Sequence, residues 1–204
     1  MPKIVPIVEG PGEEAAVPIL FQKILKPLRR YDIQIARPYN AKGRDNLKKK
    51  GGLERFVEAA WKERDCGAIF IVLDAEDESY CKLAKDFSTR VNALWVRYPV
   101  VIVVANRMYE NWLVASIETI AGQFGLPAGL SPPEDVESIK NAKRWLKDHF
   151  PKDQAYKETT HQEAMTHLLD IELARKRSRS FQRLLHAMQQ ALDAIDKGAK
   201  IVTP

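Results

Sequence analysis

Ala68-Ile69-Phe70-Ile71-Val72-Leu73, followed at once by Asp74-Ala75-Glu76-Asp77-Glu78, decides the reading of this chain. An unbroken apolar run that stops abruptly at acids is a strand buried on both faces. Strands of that kind belong to parallel sheets covered by helices on each side. Working outward, Lys3–Val8 is a second such run, and it ends at Glu9-Gly10-Pro11-Gly12. Pro99–Ala105 is another, followed by Asn106. Asp32–Tyr39, where Ile33 and Ile35 alternate with polar neighbours, completes four predicted strands. Between them lie stretches of helical period: Glu13 to about Leu28, Leu53–Arg64, Tyr80–Leu94 and Tyr109–Phe124. Lys42–Gly52 reads as a basic, glycine-containing loop. The alternation of strand and helix predicts the α/β class, with a mainly parallel four-stranded sheet flanked by helices.

After Phe124 the pattern changes. Gly125–Pro133 is a glycine- and proline-rich connection, and beyond it only helical periods occur. They cover Val136–Phe150, roughly Thr160–Arg177, and Ser180–Asp196. The last places Phe181, Leu184, Leu185, Met188, Leu192 and Ile195 on one face, with Ser180 as its expected N-cap. The chain therefore divides into an α/β core over 1–125 and a helical extension over 126–204 packed on that core. A length of 204 residues suits one domain.

Composition narrows the function. At 45% hydrophobic and 29% charged residues, extensive disorder is excluded. No apolar run approaches the roughly 20 residues that span a bilayer. The start, MPKIVPIVEGPG, is too short in apolar residues for a signal peptide. Cys66 and Cys81 form neither a disulfide framework nor a CxxC pair, so a reducing, cytoplasmic location is expected. The histidines have no ligand partner at helical spacing, which argues against zinc. Trp61, Trp95, Trp112 and Trp145 sit on apolar patterns and are expected in the core. Net charge is +5, and it is unevenly spread. Arg37, Lys42, Arg44, Lys48, Lys49, Lys50 and Arg55 crowd one segment, opposed by Asp45 and Glu54. Arg175, Lys176, Arg177, Arg179 and Arg183 form a second cluster. Such patches either attract a polyanion such as nucleic acid or simply solvate a surface.

Ligands of open parallel sheets lie beyond the carboxyl ends of the strands. Glu9, Asp74, Glu76, Asp77 and, one turn into the next helix, Glu110 fall there. These acids either cap helices and face water, or converge on a hard divalent cation such as Mg²⁺, which takes oxygen ligands. Arg107 stands beside them, placed to clamp a phosphate or to pair with Glu110 or Asp77. Gly10-Pro11-Gly12-Glu13-Glu14-Ala15 also fits G-x-G-x-x-A, the dinucleotide fingerprint. A pyrophosphate there would meet Glu9, Glu13 and Glu14, and Pro11 offers it no N–H. Nucleotide binding is therefore the weakest reading, and no G-x-x-x-x-G-K-[ST] loop is present.

Three segments, Val8-Glu9-Gly10-Pro11-Gly12-Glu13, Leu73-Asp74-Ala75-Glu76-Asp77 and Ala105-Asn106-Arg107-Met108-Tyr109-Glu110-Asn111-Trp112, resemble the TOPRIM fold of topoisomerases, bacterial primases and OLD-family nucleases. The match is closer to small stand-alone TOPRIM-like bacterial proteins, usually encoded beside an AAA- or ABC-type ATPase and often among phage-defence genes. Ser178-Arg179-Ser180-Phe181-Gln182-Arg183-Leu184 resembles that family as well. The resemblance implies that Glu9 is a general acid/base or metal ligand and Asp74 a metal ligand. Glu76 stands where the second aspartate is usual, one methylene longer, and Asp77 is an alternative ligand. Glu110 would complete a site for one or two Mg²⁺ or Mn²⁺ ions. Lys157 would supply the basic residue that OLD-type nucleases place near the transition state. The implied activity is metal-dependent cleavage of DNA or RNA, with an ATPase as partner. Lys42, Arg44, Lys48, Lys49 and Lys50 would guide the phosphate backbone. A catalytically weak regulatory subunit that binds the ATPase is the alternative, and homo-oligomerisation is left open.

Overall fold

Every residue of Cys66–Asp74 (β4) is buried in the computed structural model, which describes residues Met1–Thr203. Lys3–Val8 (β1) lies parallel on one side of β4, and Val100–Ala105 (β5) lies parallel on the other. Gln34–Ile35 (β2) and Tyr39–Asn40 (β3) pair with successive parts of β1. Val202–Thr203 (β6) joins the far edge, against Val100 and Val101. The sheet order is β2-β1-β4-β5-β6, with β3 beside β1, and every pairing is parallel.

The mainly parallel, helix-flanked sheet agrees with the sequence pattern, but it has six strands rather than four. The segment read as one strand over Asp32–Tyr39 breaks at Arg37-Pro38. Proline has no N–H for the ladder and restricts the residue before it. Strand β6 is too short to carry an alternation signal.

Side chains alternate across the sheet, as the pleat requires. Ile4, Val8, Phe70, Val72, Val101 and Val103 face one layer. Val5, Ile7, Ile69, Ile71, Ile102 and Val104 face the other. The second layer is covered by Gly52–Trp61 (α3) and Tyr80–Asn92 (α4), through Leu53, Val57, Leu83, Phe87 and Val91. Arg44–Lys48 (α2) is a short helix inside the stretch expected to be a loop.

The first layer is covered by Pro11–Leu25 (α1) and Tyr109–Ala115 (α5), together with the chain beyond residue 125. That chain forms Ala142–His149 (α6), Glu163–Leu168 (α7), Ile171–Arg177 (α8) and Arg179–Lys197 (α9). Leu146, Met165, Ala174, Phe181, Leu184, Met188 and Leu192 enter the same buried cluster as Ile4 and Phe70.

Three helices predicted as continuous are divided, each at a side chain that bonds to backbone. Helix α5 stops at Ser116, where the Thr119 hydroxyl donates to the Ser116 carbonyl. Asn141 caps α6 by accepting from Arg144 N–H, so the turn at Val136–Ser138 is separate. Asp170 caps α8 by accepting from Leu173 N–H, which cuts the run expected over Thr160–Arg177. The cap of α9 is Ser178, which accepts from Phe181 N–H, and not Ser180. Ser180 instead lies inside the helix and accepts a bond from Trp112 Nε1 at 3.0 Å. Trp112 is fully buried, as expected, whereas Trp95 is 90% exposed on a loop and plays no part in the core.

Glu137 ties these elements together. It accepts from Ser178 Oγ at 2.8 Å, Ser180 N–H at 2.8 Å, Ser180 Oγ at 3.0 Å and Asn106 Nδ2 at 3.2 Å. Burial alone would raise the Glu137 pKa, but these donors outweigh it and hold the carboxyl below its usual range. Its stabilisation is therefore present above the ordinary carboxylate pKa and is lost as pH falls through the lowered one. Replacing Glu137 with alanine strands several donors at the start of α9. Urea denaturation at pH 7 should show a loss of about 2–3 kcal/mol for Glu137→Ala. A loss within about 0.5 kcal/mol, as at ordinary surface positions, would contradict this role.

Candidate functional site

Three adjacent strands, β1, β4 and β5, deliver acids to one end of the sheet. Glu9 is the first residue after β1, and its Oε1 accepts from Asp74 N–H at 3.1 Å. Asp74 closes β4, and its Oδ1 accepts from Tyr109 N–H, at the start of α5, at 2.8 Å. Glu13, in the first turn of α1, reaches back to Gly10 N–H at 3.0 Å, one half of a capping box. Glu110, the second residue of α5, is fully buried. Its Oε1 accepts from the Tyr156 hydroxyl at 2.9 Å and Gln162 Nε2 at 3.4 Å. Each carboxylate thus has one oxygen anchored. The other oxygen of Glu110, Oε2, is buried with no hydrogen-bond partner among the described residues.

Electrostatics follow from this crowding. Burial is the main cause that pushes Glu9 up to about 7. The Asp74 N–H and Arg44 oppose the rise, and Glu13 and Glu76 add to it. Asp74 is raised well above the carboxylate range, first by burial and then by the charges of Glu110, Glu13 and Glu9. Glu110 is raised by burial, against the pull of Lys143 and the Tyr156 hydroxyl. Lys143 is the nearby cation. Burial would lower its pKa, but Glu110, Asp74 and Glu158 together raise it, so it stays charged. Its Nζ lies 3.0 Å from Glu158 Oε1. Burial also raises the Tyr156 phenol far above its usual range, which keeps it a hydrogen-bond donor to Glu110.

The other acids predicted from sequence are engaged differently. Glu76 has a left-handed backbone (φ +49°) and its carboxylate pairs with Arg44 at 2.7 Å. Asp77 is 95% exposed and pairs with Arg107 at 3.2 Å. Asp77 is not drawn into the cluster of Glu9, Glu13, Asp74 and Glu110, whereas the charge of Glu76 reaches Glu9 from its rim. Arg107 is also left-handed (φ +73°) and donates to the Glu76 carbonyl at 2.9 Å, so it braces the turn after β4.

The basic residues divide as well. Arg44 donates to the carbonyls of Asp74 and Ala75 at 2.9 and 3.0 Å, and Lys48 pairs with Glu78 at 2.6 Å. These two hold the turn after β4 rather than a free surface. Lys49 bonds to Asn46 Oδ1, while Lys42 and Lys50 are exposed. Lys157 is exposed and lines a shallow cleft with Lys143, Arg144 and Lys147. Its own N–H bonds to His161 Nδ1, and no bond joins its side chain to the acids among the described residues.

Sequence reasoning had not placed Glu13, Lys143, Tyr156 or Gln162 at the site. Glu13 carried a signal, since an acid at the third position of a helix reaches back to the cap. Lys143, Tyr156 and Gln162 come from the helical extension and carry no such mark. Gly12 lets them approach: a Cβ there would lie 2.1 Å from Gln162 Oε1 and 3.1 Å from Glu158 Cβ.

Among solved structures, the chain is similar to the C-terminal region of the Burkholderia pseudomallei OLD protein. Identity is 14%, the match covers 96% of this chain and 99% of that one, and the TM-score is 0.42. A comparison with curated proteins gives no match. A family model described as "Domain of unknown function (DUF4276)" matches residues 8–189, nearly the whole chain from the end of β1 into α9, and the protein belongs to that family.

Proposed function

We propose that this chain is a divalent-metal-dependent phosphodiesterase acting on nucleic acid, with Mg²⁺ or Mn²⁺ held by Asp74 and Glu9. The observation that carries this reading is that Glu9, Glu13, Asp74 and Glu110 gather at one end of the sheet, close enough to act on Asp74 by charge, each fixed through one oxygen. The donor set fits a hard cation. Carboxylates packed this closely repel and resist losing water, and the buried, partnerless Glu110 Oε2 lacks a positive group or donor. No three His, Cys, Asp or Glu side chains form a ready-made metal cage among the described residues. Mg²⁺ does not need one, since it is usually held by one or two carboxylates plus waters and substrate phosphates.

A cation bound there would supply Lewis-acid polarisation of a phosphodiester and lower the pKa of a bound water. The chain's own residues supply the rest. Glu9, fixed by the Asp74 N–H, would either share the cation with Asp74 or, where Asp74 holds it, take a proton from the attacking water. Lys143 offsets charge that develops on the phosphoryl oxygens, the part that the sequence resemblance gave to Lys157. Tyr156 and Gln162 orient Glu110. Lys42 and Lys50 on one side, and Arg144, Lys147 and Lys157 on the other, are placed to attract a phosphate backbone. The TOPRIM resemblance supports the same reading and suggests an ATPase as partner. One second reading is a regulatory subunit of that ATPase with little activity of its own, favoured by Glu76, which stands where the second aspartate is usual and pairs with Arg44.

Cleavage of DNA and RNA in Mn²⁺ should separate the two. Asp74→Asn and Glu9→Gln should each lower the rate about 10²-fold or more, and Lys143→Met by a similar factor. Activity kept by Asp74→Asn would remove Asp74 from the chemistry. No cleavage by the wild type, alone or with its ATPase, would leave the regulatory reading.

Binding can be tested without activity. The folded pKa of Glu9, about 7, lies above its ordinary 4.5. Its contribution to stability is therefore present below about pH 4.5 and lost as pH rises through 7. Asp74 and Glu110 act in the same direction. The metal-free protein should be less stable at pH 8 than at pH 5.5, with Glu9 alone contributing on the order of 2 kcal/mol across that window. Millimolar Mn²⁺ should raise Tm at pH 8 far more than at pH 5.5, and Asp74→Asn should abolish that response. A wild-type Tm that ignores Mn²⁺ at pH 8 would count against the metal site.

A further inference from the structure

Strand β5 is paired with β4 along its whole length, but with β6 only at Val100 and Val101. The carbonyls of Pro99 and Ala105 accept from Ile69 and Ala75 on the β4 side, whereas Val100 N–H donates to Ile201 on the β6 side. Backbone groups alternate in direction along a strand, so the even-numbered residues of β5 face outward. The Ile102 carbonyl and both backbone groups of Val104 therefore lie on the outer edge, past the end of β6. An edge of this kind is a template for another strand.

This edge lies at the floor of a groove of about 380 Å³. Ile102, Val103 and Val104 form the floor, and helices α4 and α9 form the walls. The facing wall residues include Cys81, Ala84, Ser88 and Ala187, whose short side chains leave room for a backbone. The charged residues that line it, Lys85 and Arg183, are both basic. The Arg183 guanidinium rests 4.2 Å from the centre of the Tyr80 ring and, among the described residues, pairs with no carboxylate. A guanidinium stacked on a ring keeps its in-plane N–H groups available to an acid.

We infer that the open edge of β5 binds an extended, acidic and aliphatic segment of a partner polypeptide as an added parallel strand. The segment continues the line of β6 along Ile102–Val104. Its aliphatic side chains fill the space between α4 and α9, and its carboxylates meet Lys85 and Arg183. Charge complementarity selects this occupant over a basic or neutral strand, and backbone pairing accounts for its extended form. The inference does not depend on the activity of the acidic crevice.

The test uses the full chain and a short fluorescein-labelled peptide of valine and isoleucine ending in two glutamates. Anisotropy should show saturable binding, and amide exchange of Val104 should slow about tenfold or more on saturation. Arg183→Ala should weaken binding about tenfold, the scale of a charge-assisted contact. Ala84→Trp, which fills the groove, should abolish it. A peptide N-methylated at the pairing positions should not bind. The proposal is overturned by the absence of saturable binding up to about 1 mM, the upper end of weak affinities. Equal binding of the N-methylated peptide, or of the unmodified one to Ala84→Trp, overturns it as well. Concentration-dependent protection of Val104 in the protein alone would assign the edge to a second copy of this chain and overturn the partner assignment.

Discussion

Acids that share a dry crevice repel one another, and something must hold them there. In this protein the hold is a relay of backbone donors: Asp74 N–H to Glu9, then Tyr109 N–H to Asp74. Both bonds depend on the parallel register of β1, β4 and β5. A slip of one residue would turn the Asp74 side chain to the opposite face and point its N–H away from Glu9. The register is fixed in turn by the alternation of Ile, Val and Phe between the two layers. The hydrophobic pattern of the strands thus determines where the charges meet.

The turns after β4 and β5 carry much of the remaining organisation. Glu76 and Arg107 adopt left-handed backbones, which cost a non-glycine residue about 1 kcal/mol or more. They are bonded to each other through Glu76 N–H to the Arg107 carbonyl and Arg107 Nη1 to the Glu76 carbonyl. Arg44 binds the same turn from the β3 side. The basic loop therefore acts first as a brace for the strand end that presents Asp74. Lys42 and Lys50 are left exposed.

Much of this was readable from sequence, and the failures have physical causes. The buried strands announce themselves by apolar runs, and Glu9, Asp74 and Glu110 follow from where those runs end. Glu76 and Asp77 follow the same strand end, and the family resemblance makes them candidate ligands, but neither signal carries their ion pairs. In the structure each meets an arginine first. Helix breaks at Ser116, Asn141 and Asp170 were present as capping residues, but apolar periodicity ran through them and masked the interruption. Lys143, Tyr156 and Gln162 could not be assigned. Gln162 reaches the site where the chain packs closely on Gly12, and Tyr156 joins it on Glu110, tertiary contacts with no local pattern.

The acids carry more charge than their structural bonds require. Every anchor seen at Glu9, Asp74 and Glu13 is a backbone N–H meeting a single oxygen. A glutamine or asparagine carbonyl would accept the same bond with no buried charge to desolvate. On structural grounds alone, amides would serve better, since an uncompensated buried charge is among the costliest features of a folded chain. What a carboxylate adds is a negative charge and a second oxygen, and both have value only toward something positive. Lys143 meets part of that demand, but it is shared among Glu110, Asp74 and Glu158. An excess of negative charge is left over, together with a buried oxygen of Glu110 that no group among the described residues satisfies.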